Sequence, residues 1–218
     1  MSRTVAAVAV AIAVALAPAA AVAADVTRED ALRTLADRGS SDEQRRRAVA
    51  RLGDVGTMAD MDTLVRALRD RRDDVRAFAE RSMWQIWHRS GDDDVDRLLE
   101  TGIEQMTSRA GDAAVDTFTR VIERRPAFAE GWNKRATVYY LMGEYAKSLA
   151  DCDEVMKRNP YHFGALSGYG MIYVQLGQPQ RALEYFERAL DINPNLDGVR
   201  TSADALRRLI LDMRRNTL

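Results

Sequence analysis

A period of 34 residues runs through the second half of this chain and limits what it can fold into. Pro126, Pro160 and Pro194 keep that spacing, as do Gly102, Ala136 and Gly170. Three further columns follow it: Ala114, Ser148 and Ala182; Phe118, Cys152 and Phe186; Val121, Val155 and Ala189. Columns of like character in register mark copies of one supersecondary unit, which buries its apolar face only by stacking on its neighbours.

Each unit reads as two antiparallel helices joined by a tight turn. Small residues in the Gly102 and Ala114 columns let the paired helices approach closely, and Trp132, Tyr139, Tyr173, Phe118 and Phe186 fill the space between neighbours. Gly143 and Gly177, again 34 apart, close the turn inside a pair, where a positive φ costs glycine little. In the first unit the nearest glycine, Gly111, stands two residues late, which predicts a distorted turn there. The prolines end the second helix of each unit.

Residues from about 93 to 196 resemble three tetratricopeptide repeats, at about 95–128, 129–162 and 163–196. The family pattern of W-x2-L-G-x2-Y, A-x3-F and P is met best in the third unit. There it reads Leu166, Tyr169, Gly170 and Tyr173, then Ala182, Phe186, Ala189 and Pro194. The second has Trp132, Ala136, Tyr139, Ser148, Cys152 and Pro160, with Arg135 where leucine is usual; the first has Leu98, Gly102, Ala114, Phe118 and Pro126. In residues 197–218, Leu196, Val199, Ala203, Leu206 and Ile210 recur at helical spacing, as in a helix that caps the last repeat. The expected fold is all-α, a right-handed helix-pair solenoid.

Residues 25–92 are helical with a looser period. Arg45 and Arg76, Ala48 and Ala79, Leu52 and Met83, and Val55 and Ile86 are each 31 residues apart. This region resembles HEAT-like repeats; an ordinary helical cap for the second half is the alternative. The boundary is expected at Arg89–Asp94, with Trp84 and Trp87 as packing residues at the joint. Two helix-pair arrays are expected to stack into one continuous superhelix.

The first 24 residues stand apart. After Arg3 no charge occurs from Thr4 to Ala24, and Ala21, Val22, Ala23 and Ala24 precede Asp25. This reads as a secretory signal peptide cleaved after Ala23 or Ala24. An uncleaved anchor is the alternative, since about 20 apolar residues reach across a bilayer; membrane contact is expected only in that case. The leader looks bacterial, so a periplasmic or secreted protein is expected.

Lys and Arg number 32 against 33 Asp and Glu, a balance that gives no basic face for nucleic acid. A lone cysteine, Cys152, excludes an intramolecular disulfide and reads as a packing thiol. His88 and His162 stand in different halves, and no zinc spacing, phosphate loop or nucleophile elbow occurs. Both histidines read as helix-end residues, with His162 partly exposed. The Gly164–Gly170 stretch reads as close helix packing, and Asp73-Asp74 and Asp92-Asp93-Asp94 as helix starts rather than calcium loops. No enzyme activity, cofactor or metal is expected.

Resemblance to tetratricopeptide repeats implies an inner surface, lined by the first helix of each pair, that binds a protein or peptide. The inward positions expected are Asn133, Thr137 and Tyr140 in the second repeat and Ser167, Met171, Val174 and Gln175 in the third. Leu99, Ile103 and Met106 extend the row into the first. Only Asn133 falls where some family members clamp a carboxylate, so the groove is expected to work by apolar contacts and hydrogen bonds. The expected role is a protein-binding scaffold, with envelope assembly or quality control as the setting. A module for a small molecule or cell-wall fragment is the alternative, which a facing pair of aromatic rings would favour.

Overall fold

The computed structural model describes residues 26–215, so the segment read as a leader, 1–24, lies outside the described residues. The described chain holds eleven α-helices, one short 3-10 turn at Met58–Asp60 and no strand. None of these helices is long and apolar enough to cross a membrane.

Four helices make the first half: α1 (Arg28–Ala36), α2 (Asp42–Val55), α3 (Met61–Ala67) and α4 (Asp73–Trp87). Their starts are written in the sequence. Thr27 with Asp30 and Ser41 with Gln44 form reciprocal capping boxes, each satisfying two free backbone N–H groups. The 31-residue correspondence is structural: Ala48, Ala79, Leu52 and Met83 are buried where α2 packs on α4. Arg45 and Arg76 each reach back to a carbonyl before their own helix, Ser40 at 2.8 Å and Asp70 at 2.9 Å.

The repeats follow as α5 (Asp93–Thr107) with α6 (Gly111–Arg124), α7 (Ala129–Leu141) with α8 (Tyr145–Arg158), and α9 (Phe163–Gln175) with α10 (Pro179–Ile192). Helix α11 (Asp197–Arg215) lies against α10 and buries Ala203, Leu206 and Ile210. Asp92 caps α5 by accepting from Asp94 and Val95 N–H, and Asp73 and Asp74 stand in the first turn of α4.

All three turns inside the pairs have the same geometry. Ala110, Glu144 and Gln178 N–H donate to the Gln105, Tyr139 and Tyr173 carbonyls, each at 2.9 Å. This is the six-to-one closure that requires a left-handed residue just after the helix. Gly143 and Gly177 supply it with φ of 78° and 66°. In the first repeat Arg109 supplies it with φ 62°, while Gly111 begins α6. The turn is therefore not distorted: an arginine bears a conformation in which Cβ crowds the carbonyl. Arg109→Gly is expected to stabilise the fold by about 0.5–1 kcal/mol, raising Tm by about 2–3 °C in thermal unfolding.

The two halves do not stack end to end. Instead α1–α4 fold beneath the loops that connect one repeat to the next. One core joins Leu64, Leu68, Met83 and Trp87 to Phe163, Leu166 and Ala189 of the third repeat. Asn195 Nδ2 donates to the Leu68 carbonyl at 2.8 Å, Arg76 Nε to Asn195 Oδ1 at 3.0 Å, and Arg69 to the Asp191 and Ile192 carbonyls. Arg69 thus meets the electronegative end of α10, where a cation is favoured. A superhelix continued before α5 would leave this loop edge open; its apolar residues at Phe163 and Leu196 draw the first half under it instead.

Candidate functional site

The first helix of each repeat turns one row of side chains to the inner face. On α7, Asn133, Thr137 and Tyr140 fall four and three residues apart; on α9, Ser167, Met171 and Val174 do the same. Residues at that spacing share one helical face. The structure brings all seven residues named from sequence onto two adjoining cavities. Asn133, Thr137, Tyr140, Ser167 and Met171 border one of about 160 Å³ between α7 and α9. Tyr140, Met171, Val174 and Gln175 border another of about 350 Å³, closed on its far side by Ser202, Ala205 and Leu206 of α11. Tyr140 and Met171 belong to both, so the cavities form one trough.

Its surface is apolar in effect. Met171 and Val174 are each 45% exposed, a high value for such side chains on a folded surface. The serine and threonine hydroxyls are already engaged: Thr137 donates to the Asn133 carbonyl at 2.9 Å, Ser167 to Phe163 at 2.8 Å and Ser148 to Ala136 at 2.7 Å. Asn133 is buried, and its Nδ2 donates to both oxygens of Glu130 at 3.2 Å, which commits its amide nitrogen within the protein. Cys152 lies at the floor of the smaller cavity; burial, with Asp151 and Asp153 nearby, pushes its thiol up to about 12.

The row on α5 divides. Leu99 and Ile103 border a separate cavity of about 490 Å³ beside α4, together with Asp54, His88, Asp96 and Glu100. Met106 lies by the turn end of the repeats, against Val138, Leu141 and Met142.

Sequence reasoning missed two features. Helix α11 covers the last repeat, yet its Ser202, Ala205 and Leu206 also wall the trough. The second is a buried polar cluster at the joint between the halves. Glu130, at the start of α7, is 1% exposed. His162 Nε2 lies 3.1 Å from its Oε2, Lys134 Nζ 3.0 Å from its Oε1, and His88 Nε2 3.3 Å from its Oε1. Both histidines of the chain therefore converge on one carboxylate. His162 is fully buried rather than partly exposed, because Trp87 stacks on it at 4.6 Å and Trp84 meets it edge-on at 5.5 Å. It does cap α9: its Nδ1 accepts from Ala165 N–H at 3.0 Å, so the proton on the ring points from Nε2 to Glu130. His88 ends α4 with Nδ1 2.8 Å from the Trp84 carbonyl. Trp84 and Trp87 are joint residues, and Gly164 gives Trp84 room: a Cβ there would stand 2.7 Å from the indole.

Burial, the strongest single influence on Glu130, pushes its pKa up. The His162 hydrogen bond, the Lys134 ammonium and the two imidazoles together outweigh it and hold the carboxyl at about 2. Among the described residues no three His, Cys, Asp or Glu side chains are disposed to hold a metal ion.

Comparison with known proteins agrees with this architecture. Residues 128–195 match the family described as "Tetratricopeptide repeat". A TPR repeat-containing protein of Rhizobium etli is 44% identical over 81 residues, 37% of this chain and 40% of its own length. The photosystem I assembly protein Ycf3 of Parasynechococcus marenigrum is 38% identical over 73 residues, 29% of this chain and 42% of its own. The chain thus spans less than half the length of either relative. Among solved structures, the Sgt2 TPR domain from Aspergillus fumigatus superposes with a TM-score of 0.53 at 22% identity, over 56% of this chain and 82% of that one. The first TPR of Spaghetti (RPAP3), bound to an HSP90 peptide SRMEEVD, gives 0.52 at 21% identity, over 54% and 93%. Helix pairs, turn closure and the 34-residue columns agree with these matches: residues 128–195 match the tetratricopeptide-repeat family, and α5 with α6 shares their turn and column geometry.

Proposed function

We propose that this chain is a scaffold that holds a protein or peptide segment in the trough between α7, α9 and α11, and that it catalyses no reaction. The trough itself carries this reading. It is open, continuous over two repeats, and lined by exposed apolar side chains whose neighbouring serine and threonine hydroxyls are already bonded. Burial of such a surface by a partner is favourable in proportion to the apolar area covered. The Spaghetti domain, of like fold, is bound to a peptide, which supports the same use here. The groups most often used for catalysis are engaged elsewhere: both imidazoles face Glu130 at the joint, and the Cys152 thiol stays protonated.

A small-molecule site receives less support. Two rings border the trough: Tyr140 is half-buried and pairs at 5.9 Å with Tyr145 beside it, and Phe186 is 3% exposed and packed on Gly170, so no two rings are offered face to face. We further propose that the protein works outside the cytoplasm of a bacterium, periplasmic or secreted, as an assembly or quality-control factor. The charge-free run from Thr4 to Ala24 supports this.

Affinity capture from a cell-envelope extract tests the reading, with the parent beside a Tyr140→Ala/Met171→Ala variant matched for thermal stability. A partner retained by the parent and lost by the variant is expected. Equal recovery on both would place the contact elsewhere and overturn the trough as the binding surface.

A further inference from the structure

The middle repeat breaks a rule that its neighbours keep. In the first repeat Gly102 faces Phe118, and in the third Gly170 faces Phe186. A Cβ on either glycine would stand 2.4 or 2.3 Å from the opposing ring. The ring therefore occupies the whole space that glycine leaves. At the same two positions the middle repeat has Ala136 and Cys152, both buried. A methyl and a thiol do not replace a ring, and the cavity of about 160 Å³ opens between these residues, Ser148 and Ile172. Thr137 and Met171 stand at its rim.

We infer that this cavity is an anchor pocket for one apolar side chain of a partner peptide, about the size of leucine, methionine or phenylalanine, and that the residues flanking the anchor are basic. The inference rests on the trough reading above and names its ligand. Size supports it, since an apolar cavity of about 150 Å³ accepts a benzene ring. Chemistry supports it as well: the Ser148, Thr137 and Ser167 hydroxyls all donate to backbone carbonyls, so a polar ligand group would lose water and gain no donor.

The flanking charge follows from which ions are already paired. Lys134 and His88 face Glu130, and Arg89 donates to the Gly53 and Asp54 carbonyls. These three cations are thus committed within the protein. The carboxylates are not. Glu100, beside Leu99 and Ile103, and Glu104 one turn on are exposed, and their carboxylates make no ion pair or hydrogen bond among the described residues. A basic segment finds partners there, where an acidic one meets like charge.

A phage library of random 12-residue peptides, selected on the full protein, tests both halves. Selected peptides are then measured by fluorescence anisotropy on variants. Expected are sequences with one fixed apolar residue and an excess of Lys and Arg. Affinity should fall at least tenfold on Ala136→Gly/Cys152→Phe, which restores the neighbours' glycine–ring pair and plugs the pocket. Thr137→Trp, at an exposed position, closes the same mouth without touching the core and should act alike if the plugged variant folds poorly. Glu100→Lys/Glu104→Lys should weaken binding about tenfold at low salt, from two surface pairs lost and reversed.

Peptides that bind the plugged and Thr137→Trp variants as well as the parent, yet are lost by Tyr140→Ala/Met171→Ala, overturn the anchor pocket and leave the trough standing. Absence of a basic excess, or indifference to Glu100→Lys/Glu104→Lys, overturns the charge preference. Failure to enrich any peptide sensitive to Tyr140→Ala/Met171→Ala overturns the trough reading together with the inference.

Discussion

Glu130→Ala is expected to cost about 3–5 kcal/mol of folding stability, the largest loss of any single polar substitution in the chain. The carboxylate is buried, and four side chains address it: His162 and Asn133 from within the buried joint, Lys134 and His88 from its partly exposed edge. Removal leaves the His162 Nε2–H and the Asn133 amide without an acceptor, each with the full cost of a buried unpaired donor. It also loosens the seat of Trp87, which stacks on the His162 ring, and with it the contact between the two halves. Chemical denaturation measures the loss.

The same group sets an acid limit. Its carboxyl titrates at about 2 in the fold against 4.5 when unperturbed. A carboxylate held below its unfolded value stabilises the fold fully above the unfolded value and less as pH falls toward the folded one. Stability should therefore decline by on the order of 3 kcal/mol between about pH 4.5 and pH 2, through this group alone. Glu130→Gln, which keeps the shape without the charge, should flatten the decline in that interval. An unaltered slope would mean that the cluster does not hold the carboxylate charged.

Phe186→Ala is expected to be comparably damaging, at about 3–5 kcal/mol, because the ring it removes is 3% exposed and lies directly on Gly170. With no Cβ on Gly170, nothing lies on the opposite side to fill the void. The pair also predicts a reversal of sign. In the parent, Gly170→Ala forces a methyl to within 2.3 Å of the ring and should destabilise by about 1–3 kcal/mol. In the Phe186→Ala background the same change enters empty space and should stabilise by about 0.5–1 kcal/mol, through helix propensity and partial filling. A double-mutant cycle by thermal or urea unfolding checks it; additive effects would show that the two positions do not share this space.

The repeats were legible because each is a local unit. Proline after the second helix, glycine or alanine beneath a ring, and a left-handed turn residue recur at fixed offsets, and each has a physical reason that acts within one helix pair. The trough followed from the same periodicity, since Thr137, Tyr140, Met171 and Val174 need only their place on a helix to face inward. What failed to show was long-range. Nothing near Glu130 in the chain announces that His162 and His88 will reach it from two other elements. The docking of α1–α4 beneath the repeat loops depends on contacts such as Asn195 with Leu68, which no local pattern encodes. Arg109 was illegible for a different reason: glycine is the usual left-handed residue, and here the bonds from Arg109 and Ala110 N–H to the Met106 and Gln105 carbonyls hold an arginine in that conformation. The anchor pocket was hidden in plain view, as Ala136 and Cys152 fit their small and apolar columns while leaving the volume of a ring unfilled.

Photo-cross-linking in living cells tests the central claim most directly. A benzophenone amino acid is placed at Met171, inside the trough, and in a second strain at Arg120, an exposed position on α6. The account predicts a discrete cross-linked partner from Met171 that is absent from Arg120 and is lost when Ala136→Gly/Cys152→Phe plugs the neighbouring pocket. Cross-links of equal yield from both positions, or a partner captured only from Arg120, would contradict a scaffold that works through its inner face.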